Sequence, residues 1–127
     1  MNKYSITAVF EFDHDAMIDI LSSATYDINY WGVVDDETEE WDVMSQSLSA
    51  DHTWEDVLYH LLVNGQSVCI YDTEDDDGPW YLTLDKLLNG IKLTIENGYW
   101  NGKIDDIDGE VGDIIFQHAL FNEIVYG

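Results

Sequence analysis

The stretch SVCIYDTEDDDGPWYLTL, residues 67–84, contains two short apolar runs on either side of an acidic segment. Each run has the length and the β-branched and aromatic content that are typical of a strand. Pro79 stands at the beginning of the second run, where a strand can accommodate a proline. We therefore predict an antiparallel hairpin, with strands over 67–72 and 79–84 joined by a long acidic loop.

The rest of the chain alternates between strand-like and helix-like patterns. Apolar residues recur at every second position over 4–12, which predicts another strand, and shorter runs predict strands over 28–34 and 40–44. Apolar residues spaced three and four apart predict helices over 14–26, 53–64, 84–97 and 113–123. The predicted fold is α+β, an antiparallel sheet of four to five strands covered by three to four helices, in a single domain over residues 1–127.

The charge balance of the chain is strongly acidic. It has 27 Asp and Glu residues against four lysines and no arginine, which gives a net charge of -23. A hydrophobic content of 46% and an aromatic content of 13% are too high for a disordered acidic tail, so the chain is expected to fold. Such a surface repels nucleic acid and anionic lipid and attracts basic proteins and cations.

Most of the carboxylates fall into three clusters in predicted loops or turns, where we expect them to be exposed. The first cluster is Asp35, Asp36, Glu37, Glu39, Glu40 and Asp42; the second is Asp72, Glu74, Asp75, Asp76 and Asp77; the third is Asp105, Asp106, Asp108, Glu110 and Asp113. Tryptophans lie close to these clusters, and aromatic residues often anchor protein interfaces. We predict that the clusters contact a partner, with Trp41 and Trp80 as anchors.

The spacing of the acids and histidines does not support a defined metal site. With Gly78 or Gly109 at the glycine position of an EF-hand loop, the position that requires glutamate holds Leu84 or Ile115. No two histidines stand three or four residues apart, and Cys69 is the only cysteine, expected to be a buried apolar residue. There is no nucleophile or phosphate-loop motif. We expect no cofactor and no enzymatic activity, while weak, nonspecific binding of divalent cations stays open.

Two segments resemble a family of small acidic proteins found in phages and prophages. In ILSSATYDINYW, residues 20–31, the family motif is matched by Asn29, Tyr30 and Trp31. In GDIIFQHALFNEIVYG, residues 112–127, it is matched by Gly112, Asp113, Phe116, Gln117, Ala119, Leu120, Phe121, Glu123, Ile124, Val125, Tyr126 and Gly127. The resemblance implies a phage product that acts in the bacterial cytoplasm. It assigns no catalytic or binding residue, and the C-terminal motif is expected to pack into the fold or a self-interface.

These features lead us to expect a non-enzymatic anti-defence protein that mimics DNA. At one phosphate charge per about 1.7 Å of duplex, a charge of -23 corresponds to about a dozen base pairs. The protein would occupy the basic groove of a host nucleic-acid-binding protein or a restriction or CRISPR nuclease, and salt would weaken the complex. We expect no direct contact with nucleic acid or membrane, and a homodimer as one way to extend the charged face.

Two other functions are consistent with the sequence. The chain could sequester a nucleotide signal of a host defence pathway, which requires an aromatic pocket and is disfavoured by four lysines against 27 acids. It could also be a regulatory interaction module of the phage itself.

Overall fold

The computed structural model of the chain describes residues 2–74 and 78–127. Within these residues it contains five α-helices, three strands and two short 3-10 helices at Ile28–Tyr30 and Ile104–Asp106. The helices and strands are, in chain order, α1 (His14–Asp27), β1 (Gly32–Val34), α2 (Glu39–Ser47), α3 (Trp54–Val63), β2 (Val68–Asp72), β3 (Trp80–Leu82), α4 (Leu84–Glu96) and α5 (Gly109–Phe121). The α+β class is confirmed, and helices predominate.

The three strands form one antiparallel sheet in the order β1-β2-β3. The predicted hairpin is confirmed, since Val68 lies opposite Leu82 and Ile70 opposite Trp80. On the other side of β2, Val34 lies opposite Ile70. Val34, Val68, Ile70 and Leu82 are buried and Trp80 is half-buried, because alternate side chains of a strand point to opposite faces and one face is covered by helices.

Each helix begins at a side chain that accepts a hydrogen bond from the first turn. Asp13 caps α1, Thr38 caps α2, Thr53 caps α3, Thr83 caps α4 and Asp108 caps α5. At α3 the bond is reciprocal, because the Asp56 carboxylate also accepts from the Thr53 backbone. These bonds satisfy backbone donors that have no partner inside a helix.

Helix α5 is the central helix of the fold and packs between α1 and α4. Gly112 makes the contact with α1, since a methyl group there would lie 2.5 Å from the backbone nitrogen of Ala24. On the other side, Gly90 of α4 contacts α5, since a methyl group at Gly90 would lie 2.5 Å from the carbonyl oxygen of Ile115. The helices therefore approach as closely as their backbones allow, and Phe116 between these contacts is fully buried.

Three sequence predictions about the elements are wrong. Residues 2–12, the N-terminal arm, form neither helix nor strand, and the predicted strand over 40–44 is part of helix α2. The segment 28–34 is divided into a 3-10 turn and the short strand β1. The described residues therefore hold three strands instead of four or five, and five helices instead of three or four.

The helices are too short or too polar to cross a lipid bilayer. In the described part of the chain, none has the length and the apolar composition that a membrane span requires.

Candidate protein-interaction surface

The first acidic cluster occupies the turn before α2 and the first turn of that helix. Asp36, Glu37, Glu39, Glu40 and Asp42 are exposed, and Asp35 is half-buried. Thr38 caps the helix through a 3.1 Å bond from the Trp41 backbone nitrogen. The positive end of the helix dipole therefore lies beneath the cluster and reduces the repulsion among its carboxylates.

Two carboxylates of the first cluster are fixed by bonds to other elements. Asp36 accepts a 2.8 Å bond from the indole of Trp54 on α3. Asp35 accepts a 3.3 Å bond from the hydroxyl of Tyr71 on β2 and a 3.0 Å bond from the Glu37 backbone nitrogen. These side chains thus hold defined positions on the folded surface.

The second cluster follows strand β2. Asp72 lies opposite Gly32 of β1 and is half-buried, and its carboxylate accepts a 2.8 Å bond from the backbone nitrogen of Glu74. Glu74 is exposed. Asp75, Asp76 and Asp77, for which we predicted partner contacts, lie outside the described residues.

The third cluster stands on the segment that leads into α5. Asp105 and Asp106 are exposed on a 3-10 turn, Asp108 caps α5, and Glu110 is exposed in the first turn of that helix. The fifth member, Asp113, is different, because only 7% of it is exposed. The prediction that this carboxylate belongs to the outer acidic surface is therefore wrong.

The first and third clusters border one shallow groove. The groove encloses about 580 Å³. It is lined by Trp54 and Glu55 of α3, by the C-terminal half of α1 and by Gly109 at the start of α5. On one side of the groove, the Trp54 indole donates a hydrogen bond to Asp36. On the other side, Asp108 and Glu110 are the chain neighbours of Gly109. The groove thus lies between Trp54, which bonds to Asp36 of the first cluster, and Gly109, whose chain neighbours belong to the third.

The outer face of the sheet lies beside the first cluster. Val33, Tyr71 and Tyr81 are each about half exposed there, and Cys69 lies opposite Tyr81 in the register. The pKa of Tyr71 is raised, first by the neighbouring Cys69 thiol and then by the charge of Asp35. A face of this kind combines aromatic rings with an adjacent carboxylate, which are the groups that attract a guanidinium or ammonium ion.

The two predicted tryptophan anchors are mainly internal. Trp41 is 6% exposed and packs against Trp54 at a ring distance of 4.9 Å, so the structure places it in the core instead of on the surface. Trp80 is half-buried and makes edge contacts with Trp31 and Phe121. Both rings therefore pack mainly against other aromatic side chains of the fold.

A buried polar network, which the sequence did not reveal, joins the segments 20–31 and 112–127. Asp113 accepts a 2.6 Å bond from the hydroxyl of Tyr30 and a 2.7 Å bond from the indole of Trp31. Burial raises the pKa of Tyr30, and the bond to Asp113 raises it further. Gln117, one turn along α5, donates a 3.0 Å bond to the same carboxylate.

Gln117 also holds the end of the chain. Its side-chain oxygen accepts bonds of 2.8 and 2.7 Å from the backbone nitrogens of Val125 and Tyr126, and its amide donates to the Tyr126 carbonyl at 2.9 Å. The Tyr126 ring then stacks on Trp31, with an interplanar angle of 3° and ring centroids 5.1 Å apart. The motif residues therefore fasten the C-terminal segment to the body of the fold.

Few of the described side chains have the properties of a catalytic nucleophile or of a metal ligand. Burial raises the pKa of the Cys69 thiol, which lowers its reactive thiolate fraction. His118 is buried, and its Nδ1 lies 2.9 Å from Thr94 Oγ1, which itself donates to the Gly90 carbonyl. Among the described residues, no three His, Cys, Asp or Glu side chains are grouped to hold a metal ion.

The net charge is distributed unevenly over the fold. The N-terminal arm and α4 together, which we call the arm–α4 face, contain three lysines and three acids, so their side-chain charges cancel. The rest of the chain has 24 acids and one lysine and carries the whole charge of -23. We call this remaining, negatively charged part of the chain, which includes the three clusters, the acidic region.

No family model, curated protein or solved structure matches this chain. The resemblance to small acidic phage proteins thus stays a prediction, and the surface described above is the basis for the function.

Proposed function

We propose that the protein is a non-enzymatic inhibitor that mimics nucleic acid and blocks a basic nucleic-acid-binding protein. The carboxylates of the three clusters would take the place of phosphates in the partner's groove. The sequence resemblance adds the setting of a phage product in the bacterial cytoplasm, where a defence nuclease of the restriction or CRISPR type is the expected target.

The observation that carries the proposal is that several acidic residues are at least partly exposed and yet held in place. Asp36 is bonded to Trp54, Asp35 to Tyr71, and Asp108 to the first turn of α5. Fixed side chains lose less conformational entropy on binding than those of a flexible acidic tail. A rigid array of carboxylates can therefore compete with the regular phosphates of a duplex for the same lysines and arginines.

Helix termini explain how one domain can carry this array. Ten carboxylates stand at the caps or in the first turns of helices, where the helix dipole favours negative charge: Asp13, Asp15, Glu39, Glu40, Asp42, Glu55, Asp56, Asp85, Asp108 and Glu110. The fold thus offsets part of the repulsion without neutralising the surface by lysines or arginines.

The exposed tyrosines add a second element of recognition. Tyr71 and Tyr81 stand on the outer face of the sheet beside Asp35. An arginine that pairs with this carboxylate could also stack on a tyrosine ring, and such contacts contribute about 0.5–2 kcal/mol. This arrangement favours a protein partner over a free metal ion.

Capture from bacterial lysate at low salt, followed by DNA displacement, tests the proposal. We expect the tagged protein to retain a nucleic-acid-binding protein and to release DNA from it on addition. Capture of a protein that keeps its DNA, or a nucleotide retained in the purified chain with no protein captured, would count against mimicry. The second result would favour the nucleotide-sequestering alternative.

Charge-matched variants separate the clusters from bulk charge. Replacing Glu37, Glu39 and Asp42 by their amides should weaken partner binding by at least about tenfold, as loss of charge complementarity predicts. The same change at Asp19, Asp51 and Asp85, which are exposed outside the clusters, alters the net charge equally. Equal losses in both triple variants would show that charge alone, without the proposed surface, determines binding.

A further inference from the structure

The N-terminal arm exposes apolar side chains that the rest of the chain leaves uncovered. Tyr4 is 87% exposed, Ile6 is 93% exposed and Val9 is 83% exposed. Single exposed apolar residues are common, but several in one short segment mark an interaction site. A contact that covers the arm is therefore missing from the single chain.

The backbone of the arm is also without partners. Throughout the described residues, no hydrogen bond joins the backbone of residues 3–10 to another part of the chain. The alternation of Tyr4, Ile6, Ala8 and Phe10 is nevertheless the pattern of a strand. The segment has the sequence of a strand, and the single chain supplies no strand to pair with it.

The arm forms one wall of an apolar groove along α4. The groove encloses about 670 Å³ and is lined mainly by Ile6, Phe10, Phe12, Leu88, Ile91 and Ile95. Phe12 stacks on Trp100 at a ring distance of 5.7 Å, and Phe10 covers Gly102. These contacts hold the C-terminal end of the arm against the rest of the fold. Leu88 and, earlier in the arm, Tyr4 and Ile6 stay exposed.

The charge distribution indicates what can cover this surface. Two copies of a chain with a net charge of -23 repel each other over most of their surfaces. The arm–α4 face is the exception, because Lys3, Lys86 and Lys92 balance its three acids. Its lysines can also pair with the acids of a second copy, and its acids with the lysines of that copy, as a self-complementary two-fold interface requires.

We propose that the arm–α4 face is the interface of a homodimer, in which the arms of two copies pair as antiparallel strands. Pairing satisfies the free backbone groups and buries Tyr4, Ile6 and Leu88. The dimer leaves both acidic regions exposed on its outer surface. It does not depend on the mimicry proposal, since it rests on a different face of the molecule.

Sedimentation equilibrium of the purified chain at low and high salt tests the dimer. We expect a monomer–dimer equilibrium with a Kd of about 1–100 μM, the range of modest interfaces. Added salt should tighten it by about tenfold or more, because salt screens the repulsion between the two acidic regions. A chain that stays monomeric at high salt and at concentrations well above this range would overturn the proposal.

Two variants locate the interface. Ile6→Asp should weaken the dimer by more than about 100-fold, because it buries an unpaired charge. Val43→Asp introduces the same charge at another exposed apolar position, on α2, and should leave the Kd within about twofold. Equal losses in the two variants would show that added charge, and not the arm, opposes association.

Thr7→Pro tests the strand pairing itself. Proline removes one backbone donor, which is free in the monomer, so thermal stability of the monomer should not change. Loss of the dimer with an unchanged monomer supports pairing of the arms. A dimer that survives this change, or arm amides that gain hydrogen-exchange protection only when a captured bacterial protein is bound, would assign the face to a different contact and overturn the proposal.

Discussion

The arm–α4 face and the acidic region differ in charge, in exposure of apolar groups and in how firmly their side chains are held. Among the residues that the structure describes, none forms a hydrogen bond with the backbone of residues 3–10, and Ile6 is almost completely exposed. In the acidic region, Asp35 and Asp36 are bonded to side chains of other elements. The chain thus bonds part of its repulsive charge to other elements and leaves apolar side chains of its neutral face exposed.

Helix α5 connects the two regions. Gly90 places α4 against it on one side, and Gly112 places α1 against it on the other. Asp113 and Gln117 of the same helix hold Tyr30, Trp31 and the C-terminal segment. Residues 20–31 and 112–127 thus include the side chains that hold these parts of the fold together.

Breaking either contact of α5 should give the largest effect. We expect Gly90→Ala and Gly112→Ala to lower the free energy of unfolding by about 3 kcal/mol each, because the new methyl group overlaps backbone atoms. Chemical denaturation measures the change. Ser22→Ala, at an exposed position of α1, is the control and should change stability by less than about 0.5 kcal/mol. Unchanged stability of both glycine variants would contradict the close packing.

Breaking the buried polar network should have the next largest effect. Asp113→Asn keeps the shape but offers only one oxygen as acceptor, so the bonds from Tyr30 and Trp31 cannot both be kept. We expect a loss of about 2 kcal/mol in the free energy of unfolding. Asp105→Asn removes the same charge at an exposed position and should be nearly neutral. Similar results for the two variants would mean that Asp113 acts only through its charge.

Acidification should weaken the joint between α4 and α5. Burial lowers the pKa of His118 below its usual 6.5, so the unfolded chain binds a proton before the folded chain does. The contribution of the neutral imidazole is complete above pH 6.5 and is lost as the pH falls toward the lowered value. Thermal unfolding of wild type and of His118→Asn at several pH values measures this. The stability of wild type relative to the variant should decrease on acidification, and a constant difference would refute the assignment.

Neutralising one acid in the acidic region and one on the arm–α4 face should give the smallest effect, and it tests whether charge repulsion differs between the two. At low salt we expect Glu37→Gln in the first cluster to raise the free energy of unfolding by about 0.3–0.5 kcal/mol, because it relieves local repulsion. Glu96→Gln on α4, which lines the same groove as Lys92, should give no gain. High salt should abolish the difference between the two variants. Equal gains at both positions would show that the repulsion is not localised in the acidic region.

The sequence predicted α1, α3, α4, α5 and the hairpin, because their apolar spacing and caps are local signals. It failed at the arm, since alternation identifies a face that can be buried but supplies no partner strand. It failed at 40–44, where Thr38 followed by two glutamates was an overlooked helix start.

For the candidate surface, the exposed acids were predicted correctly as exposed, but Asp113 and Trp41 were not distinguished from them. The signal for Asp113 was its position one turn before Gln117 in an otherwise apolar helix. The contacts of Asp36 with Trp54 and of Asp35 with Tyr71 are tertiary, and no local pattern could reveal them.

The affinity of the captured partner as a function of salt tests the central claim most directly. From about 0.05 to about 0.3 M salt we expect binding of the wild-type chain to weaken by more than about tenfold, since exposed charge pairs are screened over this range. The variant neutralised at Glu37, Glu39 and Asp42 should show a smaller dependence. An affinity that does not change with salt, in both proteins, would contradict recognition through the acidic clusters.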